Sequence, residues 1–160
     1  MWRAPHPKSQ ERNPKQTPTK ILTVRQPAAW FIFNGKPVEN RSWATNYRGP
    51  VLIHAGARKP SLDDWEYFDN LALRQRRPIP PRELPYGAII GVVDIVGCVT
   101  SHRSVHFEGK YGFVLANPRL IDGVPTKGKL GLCAAPSKFT AKYIAQLVAT
   151  RKRNGNEWRQ

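Results

Sequence analysis

Apolar positions in this chain fall into short blocks of strand length, separated by proline, glycine and charged residues. Lys20-Ile21-Leu22-Thr23-Val24 is a β-branched run that predicts a first strand. Pro27 suits the opening turn of a helix over Ala28 to Phe33, which the Asn34-Gly35 pair ends. Val38 to Trp43 reads as a strand, and Tyr47-Arg48-Gly49-Pro50 as a turn into Val51-Leu52-Ile53-His54-Ala55, an unbroken apolar run that suits a central strand. Ser61 is placed to cap a helix over residues 61–74, with Asp63 and Asp64 in its first turn, where the helix dipole favours them. Residues 75–86 carry four prolines and three arginines and predict a loop.

Beyond the loop, Gly87 to Thr100 predicts a long strand with bulges or bends at Gly91 and Gly97. Tyr111 to Leu115 and Leu130 to Cys133 supply two more strands. Phe139 to Thr150 then predicts a closing amphipathic helix that runs into Arg151-Lys152-Arg153. About five to six short strands with helices in their connections favour a small mixed β-barrel of the α+β class with flanking helices. Strands and helices do not alternate, which disfavours a doubly wound parallel sheet. The chain divides into a disordered basic arm over 1–19, a barrel domain over 20–137, and a C-terminal helix with basic tail over 138–160.

Charge changes this picture. The formal net charge is +15, and it is concentrated at the ends. Residues 1–20 carry five Lys or Arg against one acid, and residues 138–160 carry six against one. Such an excess points to a polyanionic partner held partly by counterion release, with nucleic acid the natural choice. The alternative is that the tails serve solubility alone. The predicted helix over 61–74 holds four of the eleven acids and is expected to face away from nucleic acid. No apolar run is long enough to span a bilayer, and the N-terminus lacks the apolar stretch of a signal peptide, so a cytoplasmic protein is expected. Cys98 and Cys133 belong to no Cys-x-x-Cys or Cys/His cluster. They read as reduced core residues, and no metal site or cofactor is expected.

If Val38 to Trp43 is a strand, Glu39, Arg41 and Trp43 share a face, and Lys36 reaches the same space from the glycine turn. Such a set can bind a base edge or a phosphate, can move protons, or can simply close a barrel end as an ion network. His54 is either a general acid or base or a satisfied histidine at a barrel rim. Tyr47, beside Arg48 in a turn, is a stacking surface for an unpaired base, whereas Trp30 reads as core. Asp94, in an otherwise apolar strand, requires a partner, which Lys36 or Arg41 would provide. His102, Arg103 and His106 fall in a polar loop that borders the same space.

The Lys36-x-x-Glu39-x-Arg41 run resembles the signature of the ASCH domain, a small module related to the PUA RNA-binding fold. Its flanks are also similar: Val24-Arg25-Gln26-Pro27, Arg41-Ser42-Trp43, Tyr47-Arg48-Gly49-Pro50, Gly87 to Asp94, Tyr111 to Leu115 and Lys127 to Gly131. The resemblance covers roughly residues 20–135. One departure is Asn34, where the family usually has glycine; asparagine also tolerates a left-handed turn. The resemblance implies a PUA-like barrel whose cleft is lined by Lys36, Glu39, Arg41, Tyr47, Arg48, His54 and Asp94, and which binds RNA or single-stranded nucleic acid. The runner-up that it implies is an enzyme using that cleft, a metal-independent ribonuclease or an amidohydrolase acting on a modified nucleoside, with Lys36, Glu39 and His54 as catalytic groups. In the amidohydrolase subgroup a Lys acts with a Thr and a Glu. Lys36 matches the Lys, Glu39 stands where the Thr is expected, and Asp94 matches the distant acid. A third class of function is protein docking through the basic tails or the helix over 61–74.

Overall fold

The computed structural model describes residues 16–154. Most of the expected basic arm and residues 155–160 of the expected tail lie outside the described residues. The elements in chain order are β1 (Lys20–Val24), α1 (Ala28–Ile32), β2 (Val38–Arg41), β3 (Gly49–Ala55), α2 (Leu62–Arg74), β4 (Ala88–Val99), β5 (Tyr111–Pro125), β6 (Leu132–Ala134) and α3 (Ala141–Asn154). The strands form one mixed sheet in the order β2-β5-β4-β3-β1-β6. β1 and β3 are parallel; the other neighbours are antiparallel. The sheet curls until Arg41 on its β2 edge reaches the Thr23 carbonyl of β1, with Nη2 donating at 2.7 Å. The expected α+β mixed barrel is therefore a six-stranded half-barrel with three flanking helices.

The period-two alternation of each strand divides its apolar residues between two faces. Leu22, Val24, Val51, Ile53, Val93 and Ile95 pack inside with Phe113 and with Ala29 and Ile32 of α1. Ile21, Leu52, Ile89, Val92 and Ile121 face the other way and are covered by Phe139 and by Ile144 of α3. Trp30 and Phe31 of α1 pack with Ala72 of α2 and with Leu84 of the loop that follows it, which makes Trp30 a core residue as expected. Ser61 caps α2 reciprocally: its Oγ accepts from the Asp64 N–H at 3.1 Å, and the Asp64 carboxylate accepts from the Ser61 N–H at 2.8 Å.

The expected bends at Gly91 and Gly97 coincide with register shifts of β4 against β5, between Ile89 and Gly91 and between Ile95 and Gly97. Gly91 is also a packing requirement. A Cβ there would sit 2.4 Å from the Phe33 ring and 2.6 Å from the Arg119 carbonyl oxygen. Gly91→Ala is expected to destabilise the fold by about 1–3 kcal/mol, seen as a lower urea midpoint at unchanged slope. Gly123→Ala is the control. Its Cβ would lie 3.8 Å from that of Ala88, and it should change stability by less than about 0.5 kcal/mol.

Among the boundaries that differ from expectation, three bear on the site. β2 stops at Arg41 rather than Trp43. β5 runs past Leu115 to Pro125, because Asn117 turns through a positive φ of 52° and pairing with β4 resumes at Arg119 and Leu120 and again at Val124. α3 begins at Ala141 and includes the basic triplet, so Arg151 is a buried helical residue whose Nη1 lies 3.7 Å from Asp122 Oδ1, not part of a tail. Asp64 is held below the usual carboxylate range, first by the Ser61 backbone donor, then by its hydroxyl, with Arg58 and Arg25 adding to the effect.

Candidate functional site

Lys36 reaches the site through the end of α1. Asn34 Nδ2 donates to the Trp30 carbonyl at 2.8 Å, Gly35 takes φ 103°, and the Lys36 N–H returns to the Phe31 carbonyl at 2.8 Å. β2 then pairs with β5 over Val38–Arg41, directing Glu39 and Arg41 toward the Lys36 ammonium. Lys36 is ion-paired with Glu39 Oε2, and Glu39 Oε1 accepts from Arg41 Nη2 at 3.2 Å. The side chains are 5%, 8% and 19% exposed in the order Lys36, Glu39, Arg41, so this is a buried cation–anion–cation row. The Thr23 carbonyl is available to Arg41 because β6 pairs with β1 only over Lys20–Leu22. The Arg41 Nε is buried with no acceptor among the described residues.

His54 is joined to this row through Thr23 and is 1% exposed. Its Nε2 lies 2.6 Å from the Thr126 carbonyl oxygen, which can only accept, so Nε2 carries a proton. Nδ1 lies 3.2 Å from Thr23 Oγ1, which itself accepts from the Lys129 N–H at 3.3 Å. Both ring nitrogens are therefore engaged in holding residues 126–129 against β1 and β3. The packing is close: a Cβ on Gly128 would meet the His54 ring at 2.8 Å. Thr23, Thr126 and Lys129 were not singled out in the sequence. The available signal was Thr23, the one polar side chain in Ile21-Leu22-Thr23-Val24.

The other expected lining residues lie elsewhere. Tyr47 donates its hydroxyl to the Pro50 carbonyl at 2.6 Å, and Arg48 donates to the carbonyls of Thr45 and Tyr47. Both precede Gly49, at the far end of β3 from His54, about 16 Å away at roughly 3.3 Å per residue. Asp94 is paired not with Lys36 or Arg41, as expected, but with Arg119 at 3.0 Å and Asn117 at 2.9 Å. Val93 and Ile95 take the inner face of β4, which turns Asp94 toward the face that carries α3. His106 is buried rather than bordering an open space. Its ring meets Phe31 at 5.3 Å, and burial pushes its pKa down to about 4, helped by the charges of Lys36 and Arg77.

Exposed cations gather where β1 and β3 end: Arg25 follows β1, Arg58 and Lys59 follow β3, and Lys127 and Lys129 lie on the segment that His54 holds. Cys98 and Cys133 are partly buried free thiols. Among the described residues no three His, Cys, Asp or Glu side chains gather as a metal site would require, and no helix is long and apolar enough to cross a membrane.

A family model of the ASCH domain matches residues 22–150, from the third residue of β1 into α3. The chain belongs to the ASCH domain family. Family members are generally associated with RNA binding. This ASCH chain is similar to Activating signal cointegrator 1 of Homo sapiens, with 30% identity over 130 residues covering 74% of the chain and 22% of the relative. It is 28% identical to the Mus musculus protein of the same name, with the same coverage. The ASCH chain thus spans about a fifth of the length of the curated relatives it matches.

Proposed function

We propose that this ASCH protein binds RNA, or single-stranded nucleic acid more broadly, at the end of the half-barrel where Arg41 meets β1. The observation that carries this reading is the guanidinium of Arg41. Glu39 and the Thr23 carbonyl fix its Nη2, and the side chain keeps 19% of its surface exposed. A fixed, partly exposed guanidinium suits a phosphate oxygen or a base edge, which presents acceptors in one plane. Arg25, Arg58, Lys59, Lys127 and Lys129 surround that end of the sheet and would carry the flanking phosphates. Lys36 and Glu39 would position Arg41 rather than touch the ligand. Tyr47, Arg48 and Asp94 would lie outside the contact.

The test is retention of labelled single-stranded RNA and matched DNA in the presence of chelator, with cleavage followed in the same samples. Arg41→Lys keeps the charge but loses the fixed planar donor, and it should weaken retention about tenfold. Lys129→Glu should weaken all sequences alike and lower the salt slope by about 0.7 or more for the contact removed. Retention that ignores both substitutions would place the ligand elsewhere. Cleavage of RNA but not DNA, lost in Lys36→Ala, would replace binding with the nuclease alternative.

A further inference from the structure

The connection from β3 to α2 reads Arg58-Lys59-Pro60-Ser61-Leu62, and no other Ser or Thr in the chain has basic residues both two and three positions before it. Arg58, Lys59, Ser61 and Leu62 are exposed, Leu62 to 87%. Ser61 has extended backbone, with φ −75° and ψ 171°, and its Oγ takes part in the cap of α2. The first turn of that helix buries nothing: Leu62, Asp63 and Asp64 are all exposed, and Trp65 is the first residue with partial cover. Opening the turn therefore costs the cap and no packing, which leaves residues 58–62 free to lie extended in another protein's groove. Arg and Lys ahead of a serine, with an apolar residue after it, form a charge pattern of the kind that arginine-directed serine kinases select.

We infer that Ser61 is a phosphorylation site for an arginine-directed serine kinase, and that its phosphate closes the proposed nucleic-acid face. In the transfer, Ser61 Oγ attacks the γ-phosphorus of magnesium-bound ATP. The Oγ–P bond forms as the bond from that phosphorus to the β,γ-bridging oxygen breaks; ADP leaves with the electron pair, and the hydroxyl proton passes to the kinase's base. The product adds a charge of about −1.5 to −2 at neutral pH. It stands where β1 and β3 end side by side, with Val24 opposite Ala55, so that Arg25 and Arg58 leave the sheet together. Both arginines act on the Asp64 carboxylate, which accepts from the Ser61 N–H at 2.8 Å, so their field covers the cap. Asp63 and Asp64 repel the phosphate on its helix side and turn it toward these cations. The free N–H groups of the first turn favour it, so α2 remains folded. With Arg25 and Arg58 taken up, an RNA backbone loses two of its contacts and meets a like charge. This consequence rests on the RNA reading above; the modification itself does not.

The test treats the full chain with the catalytic subunit of cyclic-AMP-dependent protein kinase and magnesium ATP, then follows intact mass, fragment masses and retention of single-stranded RNA. One phosphate should enter, and fragmentation should place it on Ser61. Ser61→Asn caps a helix as well as serine does but cannot be phosphorylated, so it should take up no phosphate and retain RNA like the untreated chain. Arg58→Gln should slow incorporation at least about tenfold. Phosphorylation should weaken RNA retention about tenfold and lower the salt slope by about 1.4, two phosphate contacts at about 0.7 each. A phosphatase should restore both. No incorporation, a phosphate on another residue, or a phosphate on Ser61 that leaves retention unchanged would each overturn the proposal. Failure of the untreated chain to retain RNA would overturn the nucleic-acid reading and the consequence for it together, while the mass of the treated chain would still decide the site.

Discussion

Lys36→Met lowers folding stability by about 3–5 kcal/mol, because it removes one partner of a buried ion pair and leaves the other. Glu39 is 8% exposed and would retain only the 3.2 Å contact with Arg41, in a place where water cannot replace the ammonium. The loss would appear as a lower urea midpoint at neutral pH. A second substitution decides the mechanism. Adding Glu39→Leu to Lys36→Met removes the stranded carboxylate and should recover most of the loss, since a buried pair contributes little over apolar residues of similar size. A single-mutant loss under about 1 kcal/mol would instead match a solvated surface pair and would contradict the buried row.

Acid should destabilise the protein through His106 before its carboxylates titrate. The imidazole is 4% exposed, its Nε2 lies 3.1 Å from the Gln75 side-chain amide, and its pKa falls from 6.5 to about 4. Burial is the main cause; the charges of Lys36 and Arg77 add to it. A depressed histidine pKa means the unfolded chain takes up the proton first. Stability is therefore complete above pH 6.5 and is lost as pH falls from there to about 4, where the effect levels off. The span corresponds to roughly 3 kcal/mol. Unfolding free energies of the unaltered chain should fall across this window, while those of His106→Gln should stay nearly flat. Parallel curves would mean that His106 is not held neutral in the folded protein.

Both predictions concern groups whose partners are far away in sequence, and this marks the limit of what the chain reveals by itself. Lys36, Glu39 and Arg41 were legible because they lie within six residues and share the geometry of a turn and a short strand. His54 was legible as a polar residue in an apolar strand, but its engagement by Thr23 and Thr126 was not. The Asp94 partner was misassigned because Arg119 lies 25 positions away on a strand expected to end at Leu115. Asn117-Pro118 reads locally as a strand breaker, and only pairing with β4 overrides it. His102 and His106 look alike in sequence. Packing against Phe31 and Gln75 separates His106 as the buried one.

Local chemistry therefore determined the class of fold, the helix caps, the glycine bends and the charged run, because apolar periodicity, capping and turn residues act over a few positions. Tertiary structure alone decided that the charged run is a buried row ending on the Thr23 carbonyl, that Asp94 faces α3, and that Arg151 is buried rather than part of a tail. The reason is that strand register and sheet curvature set which distant groups meet, and both are properties of the closed sheet rather than of any one segment.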